Sequence, residues 1–112
     1  MLEFGIDELP RALLVHVKGE VNYESAPQLE AHLADAVARR RHLIVDLSAM
    51  LFLDMSGVRA LETARERCRK NGCALVVIAP PQMPRRILEL IGFMQEVPVA
   101  DSPQAALKLL PQ

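Results

Sequence analysis

Cysteine is scarce in this 112-residue chain: there are two, Cys68 and Cys73, with no second pair and no histidine cluster beside them. That excludes a disulfide framework and a four-ligand zinc site, and it fits a reduced cytosolic protein. An excess of charge of one sign is equally lacking. The 14 acidic side chains nearly balance 13 basic ones, for a net charge of −1. Such a balance excludes a strongly basic nucleic-acid binder and an acidic disordered tail. No apolar run approaches the ~18 residues of a membrane span. The start, Met1-Leu2-Glu3-Phe4, has neither the basic opening nor the apolar stretch of a signal peptide. Repeats, linkers and low-complexity tracts are absent as well. What is present is a composition 51% apolar. At this length a chain buries roughly two-thirds of its unfolded surface, enough for a core without metal or disulfide. One domain over residues 1–112, in the cytoplasm, is the expectation.

The apolar spacing predicts alternating elements. Leu2, Phe4 and Ile6 read as a short edge strand ending at Leu9-Pro10. Leu13 to Val17 reads as a second strand, stopped at Gly19 and paired with the first as a hairpin. Ser25 before Ala26-Pro27 has the form of a helix N-cap, and Leu29, Leu33, Ala36 and Val37 keep helical spacing up to Arg39-Arg40-Arg41. Three arginines there suit the negative end of the helix dipole. Leu43 to Leu47 is a strand covered on both faces, and Ser48 to Leu53 leads on to a helix bearing Val58, Leu61, Arg65 and Cys68 on one face. Asn71-Gly72 closes that helix. Ala74 to Ile78 is a further buried strand, followed by a helix from Pro84 to Gly92. Phe93 to Val99 is expected as a last strand, and Ser102-Pro103 opens a final helix. Right-handed crossovers between such units build an α/β fold: a mostly parallel sheet of about five strands, an antiparallel N-terminal hairpin and about four flanking helices.

Sites in open α/β sheets gather beyond the carboxyl ends of the strands. Asp54-Met55-Ser56-Gly57 lies at such an end, with Ser56 placed to cap the helix that follows. A phosphate on Ser56 would meet free amides and the positive end of the helix dipole, and would repel the carboxylate of Asp54. Met50, Phe52, Met55 and Val58 surround the turn, and methionines suit an adaptable contact surface. Glu20, Asn22, Tyr23 and Glu24 follow a strand aimed at the same end, and Tyr23 is the one tyrosine. Serine catalysis would need an oriented base, yet His16, His32 and His42 share no face. A Gly-rich phosphate loop is missing. Neither catalytic residues, a metal nor a cofactor is therefore expected.

The ordered set of segments resembles the STAS domain of bacterial anti-sigma factor antagonists. Val45-Asp46-Leu47-Ser48 with Phe52-Leu53-Asp54-Met55-Ser56-Gly57-Val58 is similar to its signature. Val17-Lys18-Gly19-Glu20-Val21-Asn22 is similar to the family's Gly-Glu-Leu-Asp turn. Ser25 to Leu29, Arg86 to Phe93 and Asp101 to Leu107 extend the likeness from about residue 3 to 110. The resemblance implies a protein switch. The unphosphorylated antagonist binds an anti-sigma factor that is also a serine kinase, and so frees a sigma factor for transcription. Phosphorylation ends the complex, and a metal-dependent serine phosphatase restores it. Ser56 matches the phosphorylated serine, and Glu20, Asn22, Tyr23, Asp54, Met55, Ser56, Gly57 and Val58 are the expected partner-binding residues. Met55 stands where the family has serine or threonine, and Asn22 stands where it has aspartate. The alternative within the family is a phosphorylation-independent scaffold, for example a regulatory subunit of a lipid-transport ATPase. In either case the free protein is expected to be a monomer that neither binds nucleic acid directly nor inserts into a membrane.

Overall fold

The computed structural model describes all 112 residues. In chain order the elements are β1 (Leu2–Glu8), β2 (Ala12–Val21), α1 (Ala26–Ala38), β3 (His42–Leu53) and α2 (Met55–Lys70). They continue with β4 (Leu75–Ile78), α3 (Gln82–Leu90), α4 (Phe93–Glu96), β5 (Val99–Ala100) and α5 (Pro103–Lys108). The sheet runs β1-β2-β3-β4-β5, with β1 antiparallel to β2 and every other pair parallel. No helix is long and apolar enough to cross a membrane.

Strand residues divide by parity between two cores of unequal size. Leu43, Val45 and Leu47 of β3 face the larger one, where they meet Leu29 and Leu33 of α1, Val58, Leu61 and Cys68 of α2, Leu88 of α3 and Phe93 of α4. Ile44 points the other way, with Leu14, Val76 and Ile78, towards Ala106 of α5 and Leu110. Four helices therefore cover one face and a single short helix covers part of the other. Arg11 ties that helix down by donating to the carbonyls of Leu107, Leu110 and Pro111.

Three elements depart from the sequence expectation. β2 does not stop at Gly19 but runs on to Val21. Gly19 has φ +109° and lies against the Met1 carbonyl, where any side chain would collide, so this glycine lets the strand pass a crowded point. β3 likewise includes Ser48 to Leu53, paired with the extended end of β2 through Gly19↔Met50, Glu20↔Phe52 and Val21↔Leu53. Register shifts between His16 and Lys18 and between Gly19 and Glu20 break the inside-outside alternation that would have marked these strands. Because β4 pairs only with Leu43–Asp46, β2 and β3 project beyond it as a two-stranded overhang. Finally, the Phe93 to Val99 stretch is not a strand. Gly92 at φ +84° turns the chain into the short helix α4, which buries Phe93 completely, and only Val99–Ala100 joins the sheet.

Candidate functional site at the start of α2

The overhang ends in the turn that starts α2, and Asp54 builds that turn. Its backbone is extended, its N–H donates to the Val21 carbonyl at 3.1 Å, and its carbonyl accepts from Val58 at 3.1 Å. One side-chain oxygen, Oδ1, accepts the amides of Ser56 at 2.9 Å and Gly57 at 3.3 Å. Asp54 is thus the N-cap. Ser56, expected in that role, lies two residues further on, inside the first turn. The Ser56 hydroxyl donates back to the same Oδ1 at 2.5 Å. That hydroxyl is the main reason the Asp54 carboxyl is held below its ordinary range; the amides of Gly57, Ser56 and Tyr23 add to it, while partial burial opposes it.

Gly57 is buried where the first turn of α2 leans on the overhang. A Cβ there would lie 2.5 Å from Leu53 Cδ1 and 2.7 Å from Val21 Cγ1. Val58 is buried in the larger core. Both residues were expected among the partner contacts, and the structure places them beneath the surface, where they seat the turn instead of presenting side chains. Met50, expected beside the turn, is wholly buried too.

The neighbouring loop is ordered by Asn22. Its Oδ1 accepts from the amides of Glu24 at 2.9 Å and Ser25 at 3.1 Å, an Asx turn that needs an oxygen acceptor and no charge. The asparagine therefore keeps the loop's hydrogen bonds that an aspartate would make. Ser25 makes no capping bond to α1. Its hydroxyl instead accepts from the Asn22 amide at 2.9 Å and donates to the Glu20 carbonyl at 3.1 Å, closing the loop on itself.

Around Ser56, itself half-buried, stand Tyr23 at 74% exposed, Met55 at 50%, and the overhang residues Leu51 at 70% and Phe52 at 41%. Glu20 and Glu24 are exposed and Asn22 half-buried. Sequence reasoning missed Leu51, which the register shift between Gly19↔Met50 and Glu20↔Phe52 leaves without a partner on β2. The histidines are engaged elsewhere. His16 lies 2.9 Å from Asp7 and 3.4 Å from Asp46, His32 stacks on Phe4, and His42 accepts from the Ala74 amide. Ser56 has a carboxylate for its hydroxyl partner and no histidine.

The sheet runs in this order, with a serine-bearing helix start at the end of its central strand. The chain belongs to the STAS domain family, whose match spans residues 4–106. It is similar to RsfA of Mycobacterium tuberculosis, named an anti-sigma-F factor antagonist, with 26% identity over 109 residues, 95% of this chain and 85% of that one. BtrV of Bordetella bronchiseptica, provisionally named an anti-sigma factor antagonist, is 29% identical over 106 residues, 94% of this chain and 91% of that protein. Among solved structures, an anti-sigma factor antagonist from Mycobacterium paratuberculosis superposes with a TM-score of 0.90 at 27% identity, covering 98% of this chain and 94% of that one.

Proposed function

We propose that this chain is a cytoplasmic anti-sigma factor antagonist, switched by phosphorylation of Ser56. In its unphosphorylated form it binds an anti-sigma factor that is also a serine kinase, and the sigma factor is released. The observation that carries the reading is the hydroxyl of Ser56, set in the first turn of α2 beside the exposed Met55 and at the end of an overhang that carries the exposed Leu51 and Phe52. The names of the relatives point the same way.

The chemistry of the switch follows from this placement. In the kinase reaction a bond forms between Ser56 Oγ and the γ-phosphorus of ATP, the bond to the ADP oxygen breaks, and the serine proton leaves to the kinase or to water. The product oxygen has no proton left to donate to Asp54. In its place come about −1.5 to −2 charges and three acceptor oxygens, beside a carboxylate already holding the free amides. Phosphate and Asp54 then compete for the same donors at the helix start. A partner seated on Tyr23, Leu51, Phe52 and Met55 would also have to bury that charge, at a cost its apolar contacts cannot offset. Removal of the phosphate by a serine phosphatase restores the hydroxyl and the complex. The contact residues in this proposal are Glu20, Asn22, Tyr23, Asp54, Met55 and Ser56, together with the exposed Leu51 and Phe52, while the buried Gly57 and Val58 seat the turn.

Incubation with the candidate kinase and ATP, read by intact and peptide mass spectrometry, tests this. One phosphate on Ser56, absent from Ser56→Ala, is expected. Equal incorporation in the variant would move the site to Ser48 or Ser25. No incorporation by a kinase active on another substrate would leave the chain as a phosphorylation-independent scaffold, and co-purification with transport ATPase subunits would follow.

A further inference from the structure

The far end of α2 closes in a turn whose two contact positions are both cysteine. The Cys73 amide donates to the Cys68 carbonyl at 2.9 Å and the Gly72 amide to the Arg69 carbonyl at 3.1 Å. Gly72 has φ +72°. These nested bonds define a Schellman cap, in which the two outer residues bring their side chains together. With bond lengths fixed, the 2.9 Å bond keeps the two Cα atoms no further apart than about 6.8 Å, the outer limit for a disulfide. Both thiols are free. Cys68 is 1% exposed whereas Cys73 is half-buried, so a reagent reaches Cys73 first. Burial pushes the Cys68 thiol up to about 11, with the nearby Cys73 adding to the shift, so Cys68 is suited to the second, resolving step and not to the first attack.

We infer that Cys68 and Cys73 form a reversible thiol–disulfide site that reacts with low-molecular-weight disulfides such as oxidised glutathione. Cys73, once deprotonated, attacks one sulfur of the disulfide, and the other leaves as a thiolate that takes up a proton. Cys68 then loses its proton and attacks the Cys73 sulfur of the mixed disulfide, expelling the second thiolate. Two protein thiols are oxidised, one small disulfide is reduced to two thiols, and no other reactant is needed. A pair of ordinary apolar residues would complete the cap equally well, so oxidation separates this reading from plain packing. The site lies about 18 Å along the helix from Ser56 and acts independently of it.

The test treats the full folded chain with excess oxidised glutathione, quenches in acid, and alkylates with N-ethylmaleimide under denaturing conditions. The expected product is lighter by two hydrogens, takes up no maleimide, and returns to two alkylatable thiols after dithiothreitol. Trypsin should release Cys68-Arg69 bonded to the Asn71–Arg85 peptide. Cys68→Ala should stop at a glutathione adduct on Cys73, and Cys73→Ala should stay unreacted while folded. Wild-type protein that stops at a glutathione adduct on Cys73, or that keeps both thiols alkylatable, overturns the assignment. The wild-type result decides even if the Cys68 variant does not fold.

Discussion

The Ser56 hydroxyl and the backbone amides that start α2 converge on one oxygen, Asp54 Oδ1. The group read as the phosphate acceptor and the group that holds the helix start are therefore a single hydrogen-bonded unit. Changing either one changes the other.

Asp54→Ala removes the cap and should destabilise the protein by about 1 kcal/mol, within the ~0.5–2 kcal/mol usual for N-caps. Asp54→Asn keeps an oxygen acceptor and should lose less. Urea unfolding of both variants checks the order; an alanine variant as stable as wild type would remove Asp54 from the role of cap.

The same bonds give acid sensitivity a definite sign. Because the Asp54 carboxyl is held below its ordinary range, its contribution to stability is present above the unfolded-state pKa and is lost as pH falls through the folded one. The stability gap between wild type and Asp54→Asn should accordingly narrow in acid. Denaturant melts across that range would show a constant or widening gap if the sign were wrong.

Ser56→Ala should fold normally, since the amide bonds to Asp54 survive, and should let the Asp54 pKa rise towards its ordinary range by deleting the main cause of its depression. Titration followed by carboxyl-carbon NMR reads this without any partner. Ser56→Glu should weaken the complex with the anti-sigma factor if charge is the signal; unchanged affinity in a direct binding assay would remove charge alone as the signal.

Gly57→Ala would normally gain up to about 1 kcal/mol inside a helix. Here the added methyl meets Leu53 and Val21, and overpacking of this kind costs about 1–3 kcal/mol. A net loss is expected, with Val21 the stiffer obstacle because its branched side chain has little rotamer freedom. An unfolding midpoint above that of wild type would show that the two side chains move aside freely.

Tyr23→Ala and Leu51→Ala remove exposed side chains and should leave stability within about 0.5 kcal/mol of wild type, while weakening partner binding. The free chain should be monomeric by light scattering. A dimer that persists on dilution would assign these exposed side chains to self-association.

The class of fold, the alternation of strands and helices along the chain and the serine at the head of α2 were legible in the sequence, because each rests on local periodicity or on a short motif. What was hidden has a common cause in β2 and β3. Gly19 looks like a terminator until the Met1 carbonyl beside it is seen, and the register shifts scatter Met50, Leu51 and Phe52 among inside and outside positions. The choice of Asp54 over Ser56 as cap was hidden for the same reason: it depends on β3 extending to Leu53. Phe93 to Val99 misled because a short stretch of mixed apolar and polar residues has no clear period of its own. Its fate is decided by the left-handed Gly92, which points Phe93 into the core.

The overhang of β2 and β3 past β4 makes the fold a cantilever. The root is the sheet clamped between its two cores, and the tip carries Asp54 and Ser56. Substitutions at the root, in β4 or β5, alter how firmly the whole is held yet leave the tip's shape alone. At the tip, stiffness comes from the β2–β3 ladder, the Asp54-to-Val21 bond and the burial of Val21, Met50 and Leu53 against α2 in the larger core. Trimming one of those buried side chains should therefore loosen the tip more than the loss of that single bond.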